Sequence, residues 1–269
     1  MYEDFIKSVL KDSSKIATEN IGKSSGLVKP DDNNQVLTET DYKIGKFLIK
    51  RVEEDFPDYN IVDEENGVID KNSDFTWVTD PIDGTSNFVN GLPHYGIMIG
   101  LLKNDISIAG GIALPYFAEI YTAIKNGGAF CNDKKIHVSP ENKLLNCLVA
   151  YQIDGHQEKP ELTRSEGKLL AEIILKIRNL RTTNSAFDVA MVAQGKYGAV
   201  LNKTSKIWDN IAQQIIVEEA GGIYTDFYGK RIDYSNTLDK ALENFTYCAG
   251  APVLHKQLIS IINNYDESN

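Results

Sequence analysis

The chain has 269 residues, with 28 Lys and Arg against 38 Asp and Glu, a formal net charge of −10, and 42% hydrophobic residues. This balance excludes a disordered, collagen-like or membrane-spanning chain, because apolar material suffices for a large core and no apolar run approaches the roughly 18 residues a spanning helix needs. The acidic surplus, without any Lys/Arg cluster, argues against nucleic acid, so an anionic substrate would need a metal ion for neutralisation.

Residues 2–20 set Phe5, Ile6, Val9, Leu10, Ile16 and Ala17 at helical spacing between charges, which predicts an amphipathic helix. The first residues carry acids where a signal peptide carries bases, and no apolar h-region follows, so the expected location is cytoplasmic. The polar stretch from Lys23 to Gln35 predicts a loop or hairpin tip. Thr38-Glu39-Thr40-Asp41 offers hydroxyls and acids to free amides and predicts a helix start. The helix that follows carries Ile44, Leu48, Val52 and Phe56 on one face and ends at Pro57.

The period then changes. Tyr59–Val62 and Phe75–Thr79 are predicted strands. Residues 96–103, 106–114 and 117–125 predict an antiparallel meander, with a tight turn at Lys103-Asn104-Asp105. From about residue 140 strands alternate with helices: strands at Leu145–Tyr151, Gly198–Leu201, Ile223–Thr225 and Thr246–Cys248, and helices at Ser165–Ile177, Ser185–Gln194, Ile207–Ala220 and Pro252–Ile262. The first half, 1–139, is therefore expected to be α+β and the second, 140–269, α/β, joined in one compact unit with the active site between them.

The chemistry concentrates in Trp77–Phe88. A strand ends in Asp80, Pro81 removes a donor, Asp83 follows three residues later, and Gly84 permits a left-handed turn into Thr85 and Ser86. Two carboxylates on one turn repel unless a cation lies between them, and a hard divalent ion prefers such ligands together with carbonyls such as that of Ile82. The amides of Gly84 and Thr85 would open a helix, where phosphate binds well. Acids beside free amides point to metal-assisted phosphoryl chemistry. Asp63-Glu64-Glu65-Asn66 after a strand, and Trp208-Asp209 at a helix start, are weak signals singly.

Together, DPIDGTSNF (80–88), DEEN (63–66) and WDNIAQQIIVEEAGG (208–222) resemble the inositol monophosphatase family in order and spacing, from the TETD segment near residue 40 to Gly221-Gly222. The resemblance implies a layered αβαβα sandwich of the sugar-phosphatase type, a homodimer, and a Mg²⁺-dependent, lithium-sensitive phosphatase that hydrolyses inositol monophosphate with metal-activated water. By resemblance, Glu64, Asp80 and the Ile82 carbonyl would hold one Mg²⁺, and Asp80, Asp83 and Asp209 a second. Glu64 would help a weaker third through waters, giving about two to three ions in all. Thr85, bonded to Asp41, would with Glu64 orient and deprotonate the attacking water. Asp83, Gly84, Thr85, Asn184, Ser185, Ala186, Asn202 and Asp209 would contact the substrate. Lys29 is matched to a family lysine near the third metal.

The substrate pocket departs from the family pattern. Asn184 stands where many relatives have Gly, and Asn202 where they have a Glu that accepts hydrogen bonds from polyol hydroxyls. An uncharged Asn relaxes that preference. Inositol 1-phosphate is therefore the expected substrate but not the sole one, with NADP 2′-phosphate, fructose bisphosphate and histidinol phosphate as alternatives. A non-catalytic sugar-phosphate or RNA-associated regulator is the alternative of a different class. His94, His137, His156 and His255 make no zinc spacing, no Gly-Lys pair completes a P-loop, and Cys131, Cys147 and Cys248 make no paired motif and read as inert thiols.

Overall fold

A computed structural model describes the backbone of residues 1–23, 25–29 and 32–267, and the side chains of these except 29, 32–35, 266 and 267. The expected role of Lys29 therefore lies outside the described side chains.

The first half runs α1 (Tyr2–Asn20), β1 (Leu27–Lys29), β2 (Asp32–Leu37), α2 (Glu39–Asp55), β3 (Asn60–Asp63), β4 (Gly67–Ile69), β5 (Phe75–Asp83) and α3 (Thr85–Val89). It continues through β6 (Gly96–Lys103), β7 (Ile106–Leu114), β8 (Glu119–Ile124), β9 (Gly128–Cys131) and β10 (Lys134–Lys135). The second half runs β11 (Leu148–Gln152), α4 (Pro160–Ile174), β12 (Asn179–Arg181), α5 (Ala186–Ala193), β13 (Ala199–Ser205) and α6 (Ile207–Glu219). It ends with β14 (Ile223–Thr225), β15 (Phe245–Gly250) and α7 (Pro252–Glu267). The expected boundary at 139 falls in the connection between β10 and β11.

An eight-stranded sheet has the order β10-β9-β8-β7-β6-β5-β3-β4, and a five-stranded sheet the order β12-β11-β13-β15-β14. The expected meander is β6-β7-β8, antiparallel throughout. Its first turn carries Asn104 and Asp105 at φ 46° and 60°, the left-handed pair that a tight hairpin needs. The small sheet is mixed: β11 runs parallel to β12 and β13, while β15 is antiparallel to β13 and β14. Alternation of strand and helix predicted the helix layers but not this reversal. Four short strands, β4, β9, β10 and β12, escaped the sequence reading because two to four residues carry little period, and the stretch read as a loop or hairpin tip holds the antiparallel pair β1 and β2.

Helices α1 and α2 cover one face of the large sheet, α5 and α6 fill the space between the sheets, and α7, packed with α4, covers the far face of the small sheet. This is the αβαβα layering that the resemblance implied. One hydrophobic cluster joins Val78, Met98 and Ile112 of the large sheet to Ile211 and Ile215 of α6 and Tyr224 and Tyr247 of the small sheet. The halves thus share a core around α6.

The seat of α6 depends on Gly100 and Gly110, where the helix lies against bare backbone. A Cβ on Gly110 would stand 2.7 Å from Ile215 Cγ2 and 2.9 Å from Ala212 Cα, and one on Gly100 2.7 Å from Ile211 Cγ2. Replacing Gly110 with Val is expected to destabilise the fold by about 1–3 kcal/mol, read as a lower urea midpoint. An unchanged midpoint would show that α6 does not sit this close.

Candidate active site

Residues three apart on a regular strand point to opposite faces. In β5 the register slips between Asp80, opposite Met98, and Asp83, opposite Gly96, so three steps on β5 span two on β6. The extra residue is a bulge, and it turns both carboxylates to the same side. Gly84 follows at φ 78° as the N-cap of α3, and a Cβ there would stand 2.9 Å from Ser185 Cβ. The strand continues through Asp80, where the sequence reading ended it, because the bulge keeps the ladder to β6 intact.

Asp209 comes from α6. Its Oδ2 accepts the Lys206 amide at 2.6 Å, so it caps the helix. It also meets Asp80 and Asp83, the three offering carboxylate oxygens all within 4.8 Å of one another. One side chain thus both caps α6 and joins the acid cluster. The three acids lie in a cleft of about 1080 Å³ that Glu64, Ile82, Gly84, Thr85, Asn184 and Asn202 also line.

These carboxyls are electrostatically strained. Burial first, then the charges of Glu64, Asp83 and Asp209, push Asp80 well above the usual carboxylate range. Burial raises Asp83 to about 7 against the Ala186 amide that bonds its Oδ2. Burial, with the charge of Asp83, raises Asp209 to about 7. Asp80 is 1% exposed, and its Oδ1 has no hydrogen-bond partner. An oxygen-only donor set with an unpartnered buried oxygen fits a hard divalent cation.

Glu64 is presented by a built loop. Its amide donates to Thr79 O at 3.2 Å, and Asp63 anchors the segment by accepting Thr79 Oγ1 at 2.7 Å and the Asn66 amide at 2.9 Å. Asp41 is buried at the start of α2, where Thr38 is the N-cap and Asp41 Oδ2 accepts the Thr38 amide at 2.8 Å. Burial raises its carboxyl to about 6 despite the Thr38 hydrogen bonds. Thr85 Oγ1 donates to Ile82 O at 2.8 Å and lies 3.5 Å from Asp41 Oδ1, so the expected Thr85–Asp41 bond is long here.

Of the residues expected to contact the substrate on the opposite wall, Asn184 and Asn202 line the cleft. Ser185 and Ala186 are buried at 2% and 0% exposure and lie behind the cleft wall. They serve Asp83, which takes the Ala186 amide, because α5 begins there and its first amides need an acceptor. Asn202 lines the cleft, but its Oδ1 accepts the Thr204 amide at 2.7 Å and its Nδ2 donates to Gln152 Oε1 at 3.1 Å. Sequence reasoning missed Gln152, whose Nε2 donates to Ser185 O at 2.7 Å and whose Oε1 also accepts the Tyr247 hydroxyl. It also missed Asp154, which accepts Thr204 Oγ1 at 2.7 Å and Asn184 Nδ2 at 3.1 Å. The one available signal was two polar residues, Gln152 and Asp154, at the end of an apolar strand.

Comparison with known proteins agrees with this geometry. Residues 3–267 match the model of the inositol monophosphatase family. A fructose-1,6-bisphosphatase/inositol-1-monophosphatase of Thermotoga maritima is 30% identical over 265 residues, covering 98% of this chain and 96% of its own. The Nus factor SuhB of Xylella fastidiosa is 31% identical over 214 residues, 79% of this chain and 76% of its own. The solved IMPase of Thermotoga maritima superimposes with a TM-score of 0.86 at 27% identity, covering 98% of each chain. The chain belongs to the inositol monophosphatase family, a family of metal-dependent phosphatases.

Raised folded-state pKa values set the sign of a linkage effect. Between the ordinary value of 3.8 and about 7, the folded metal-free chain holds protons on Asp83 and Asp209 that the unfolded chain has lost. The stability these groups contribute is present below pH 4 and lost as pH rises toward 7. In chelator, melting temperature is expected to fall between pH 5 and pH 8, and Mg²⁺ to restore it mainly at pH 8. The Asp83→Asn, Asp209→Asn double variant is expected to flatten both responses. A wild-type melt indifferent to the cation at pH 8 would mean that the cluster holds none.

Proposed function

We propose that this chain is a Mg²⁺-dependent phosphatase of polyol monophosphates, with inositol 1-phosphate as a first substrate and others accepted beside it. The observation that carries this reading is the convergence of Asp80, Asp83 and Asp209 in a cleft large enough for a small ester, with Thr85 and Asp41 alongside. Glu64, Asp80, Asp83, Asp209 and the Ile82 carbonyl would hold the cations. Bound there, they would neutralise phosphate charge and acidify water.

This chain's own residues do the rest. The Gly84 and Thr85 amides bind phosphate oxygens at the start of α3. The Thr85 hydroxyl, turned from Ile82 O toward Asp41, keeps lone pairs free to hold the attacking water, and Glu64 takes part in removing its proton. That rotation also releases the Ile82 carbonyl. Long apo contacts of this kind commonly tighten in the substrate complex. Asp63 and Ala186, which do not line the cleft, position the acids, and Gln152 braces the start of α5 from the cleft wall.

All three cysteines are free and buried, and among the described residues no helix is long and apolar enough to cross a membrane. These features support a cytoplasmic location, and family membership supports a homodimer. The Xylella relative, named a Nus factor, keeps the second reading, an RNA-associated regulator, in view. The complete acid set weighs against it.

Phosphate release from inositol 1-phosphate is expected to require Mg²⁺ and to be suppressed by millimolar-order Li⁺. Asp83→Asn or Asp209→Asn is expected to lower turnover about 100-fold or more, with a melting temperature unchanged or higher once acid repulsion is relieved. Turnover at saturating Mg²⁺ and thermal melts on the same samples check both. Full turnover in excess chelator would sink the metal mechanism, and no release from any candidate ester would leave the regulator reading.

A further inference from the structure

The cleft wall opposite the acid cluster carries a carboxylate that the sequence reading did not single out. Asp154 follows β11, lines the cleft and is partly exposed. Its two oxygens are held by side chains from separate segments, Thr204 at 2.7 Å and Asn184 at 3.1 Å. An ionised carboxylate offers about four acceptor directions, so roughly two remain for a ligand. The group is preorganised, and little rotamer freedom is lost when a ligand binds it.

Asn202 has no comparable capacity. Its Oδ1 takes the Thr204 amide and its Nδ2 faces Gln152. Asp154 also lies outside the Asp80, Asp83 and Asp209 cluster, so cations bound there leave its charge available.

The surroundings set what it would accept. The acids lining the cleft are Glu64, Glu65, Asp80, Asp83, Asp154 and Asp209, whereas among the described residues its basic side chains are Lys206 and His156. Lys206 Nζ donates to Leu242 O at 2.7 Å, and His156 Nε2 lies 3.7 Å from Glu166 Oε1. A second phosphate or a pyrophosphate would meet a carboxylate there without a cationic clamp, which is a repulsive element against such substrates.

Resting on the reading of this cleft as a phosphomonoesterase site, we propose that Asp154 is its specificity-determining residue. It accepts hydrogen bonds from hydroxyl or ammonium groups of the leaving group and disfavours leaving groups that carry a second anion. Polyol and amino-alcohol monophosphates are then preferred over NADP and sugar bisphosphates.

The test is kcat/KM in Mg²⁺ for wild type, Asp154→Asn and Thr204→Val. The substrates are inositol 1-phosphate, histidinol phosphate, NADP, and phenyl phosphate as a reference without hydroxyl, ammonium or second anion. Asp154→Asn is expected to lower the inositol-to-phenyl ratio about tenfold, to lower the histidinol ratio at least as much, and to raise the NADP ratio several-fold. Thr204→Val, which frees Asp154 from its anchor, is expected to shift the ratios the same way by about threefold, and it carries the test alone if Asp154→Asn does not fold. Ratios that stay within about twofold of wild type, in a wild type that turns these esters over, overturn the role of Asp154 and leave the phosphatase reading standing. A wild type that releases phosphate from none of the four removes both.

Discussion

The constraint on which the rest of this structure depends is the mutual repulsion of carboxylates forced together in a poorly solvated cleft. Glu64, Asp80, Asp83 and Asp209 come from three separate segments, and burial pushes Asp80, Asp83 and Asp209 above the usual carboxylate range. Their assembly is held by backbone and packing. The bulge in β5 aims two of them, the Ala186 amide fixes one oxygen of Asp83, and the Lys206 amide fixes one of Asp209. Asp80 Oδ1 has no hydrogen-bond partner, and Asp80, Asp83 and Asp209 each bring one carboxylate oxygen within 4.8 Å of the others. Packing elsewhere sustains this local strain, as is usual at functional sites.

Helix α6 transmits that constraint through the fold. It lies between the two sheets, seated on Gly100 and Gly110 on one side and packed against β14 and β15 on the other. Its N-terminus carries Asp209 to the acids of the large sheet, and Asn210 within it accepts the Tyr224 hydroxyl at 2.9 Å, tying it to the small sheet. The cleft thus draws its acid cluster from the large sheet and α6, and its opposite wall from the ends of β11 and β13.

Gln152 joins the two sides. It binds Ser185 O, Asn202 and the Tyr247 hydroxyl, so the α5 start that steadies Asp83 and the wall that faces the leaving group share one buried hub. Both polar atoms of the Gln152 amide have partners, and a buried network of this kind specifies geometry more than it adds stability. It also explains why Asn202 lines the cleft and yet has little capacity left for substrate.

The sequence by itself determined the helix and strand inventory wherever periods were long, as in α1, α2, the β6-β7-β8 meander and α6. It also marked the acids and turn of 80–85, because Pro81, Gly84 and paired Asp residues are local chemical requirements. The tertiary structure alone decided that Asp80 and Asp83 share a face, since a bulge is a property of pairing with β6 and not of either residue. It alone turned Ser185 and Ala186 inward and brought Asp154 forward, because their burial depends on how β11, β13 and α5 converge. Periods, caps and turns are written in neighbouring residues, whereas a pocket wall is set by segments about 30 to 50 positions apart, whose meeting no local pattern records.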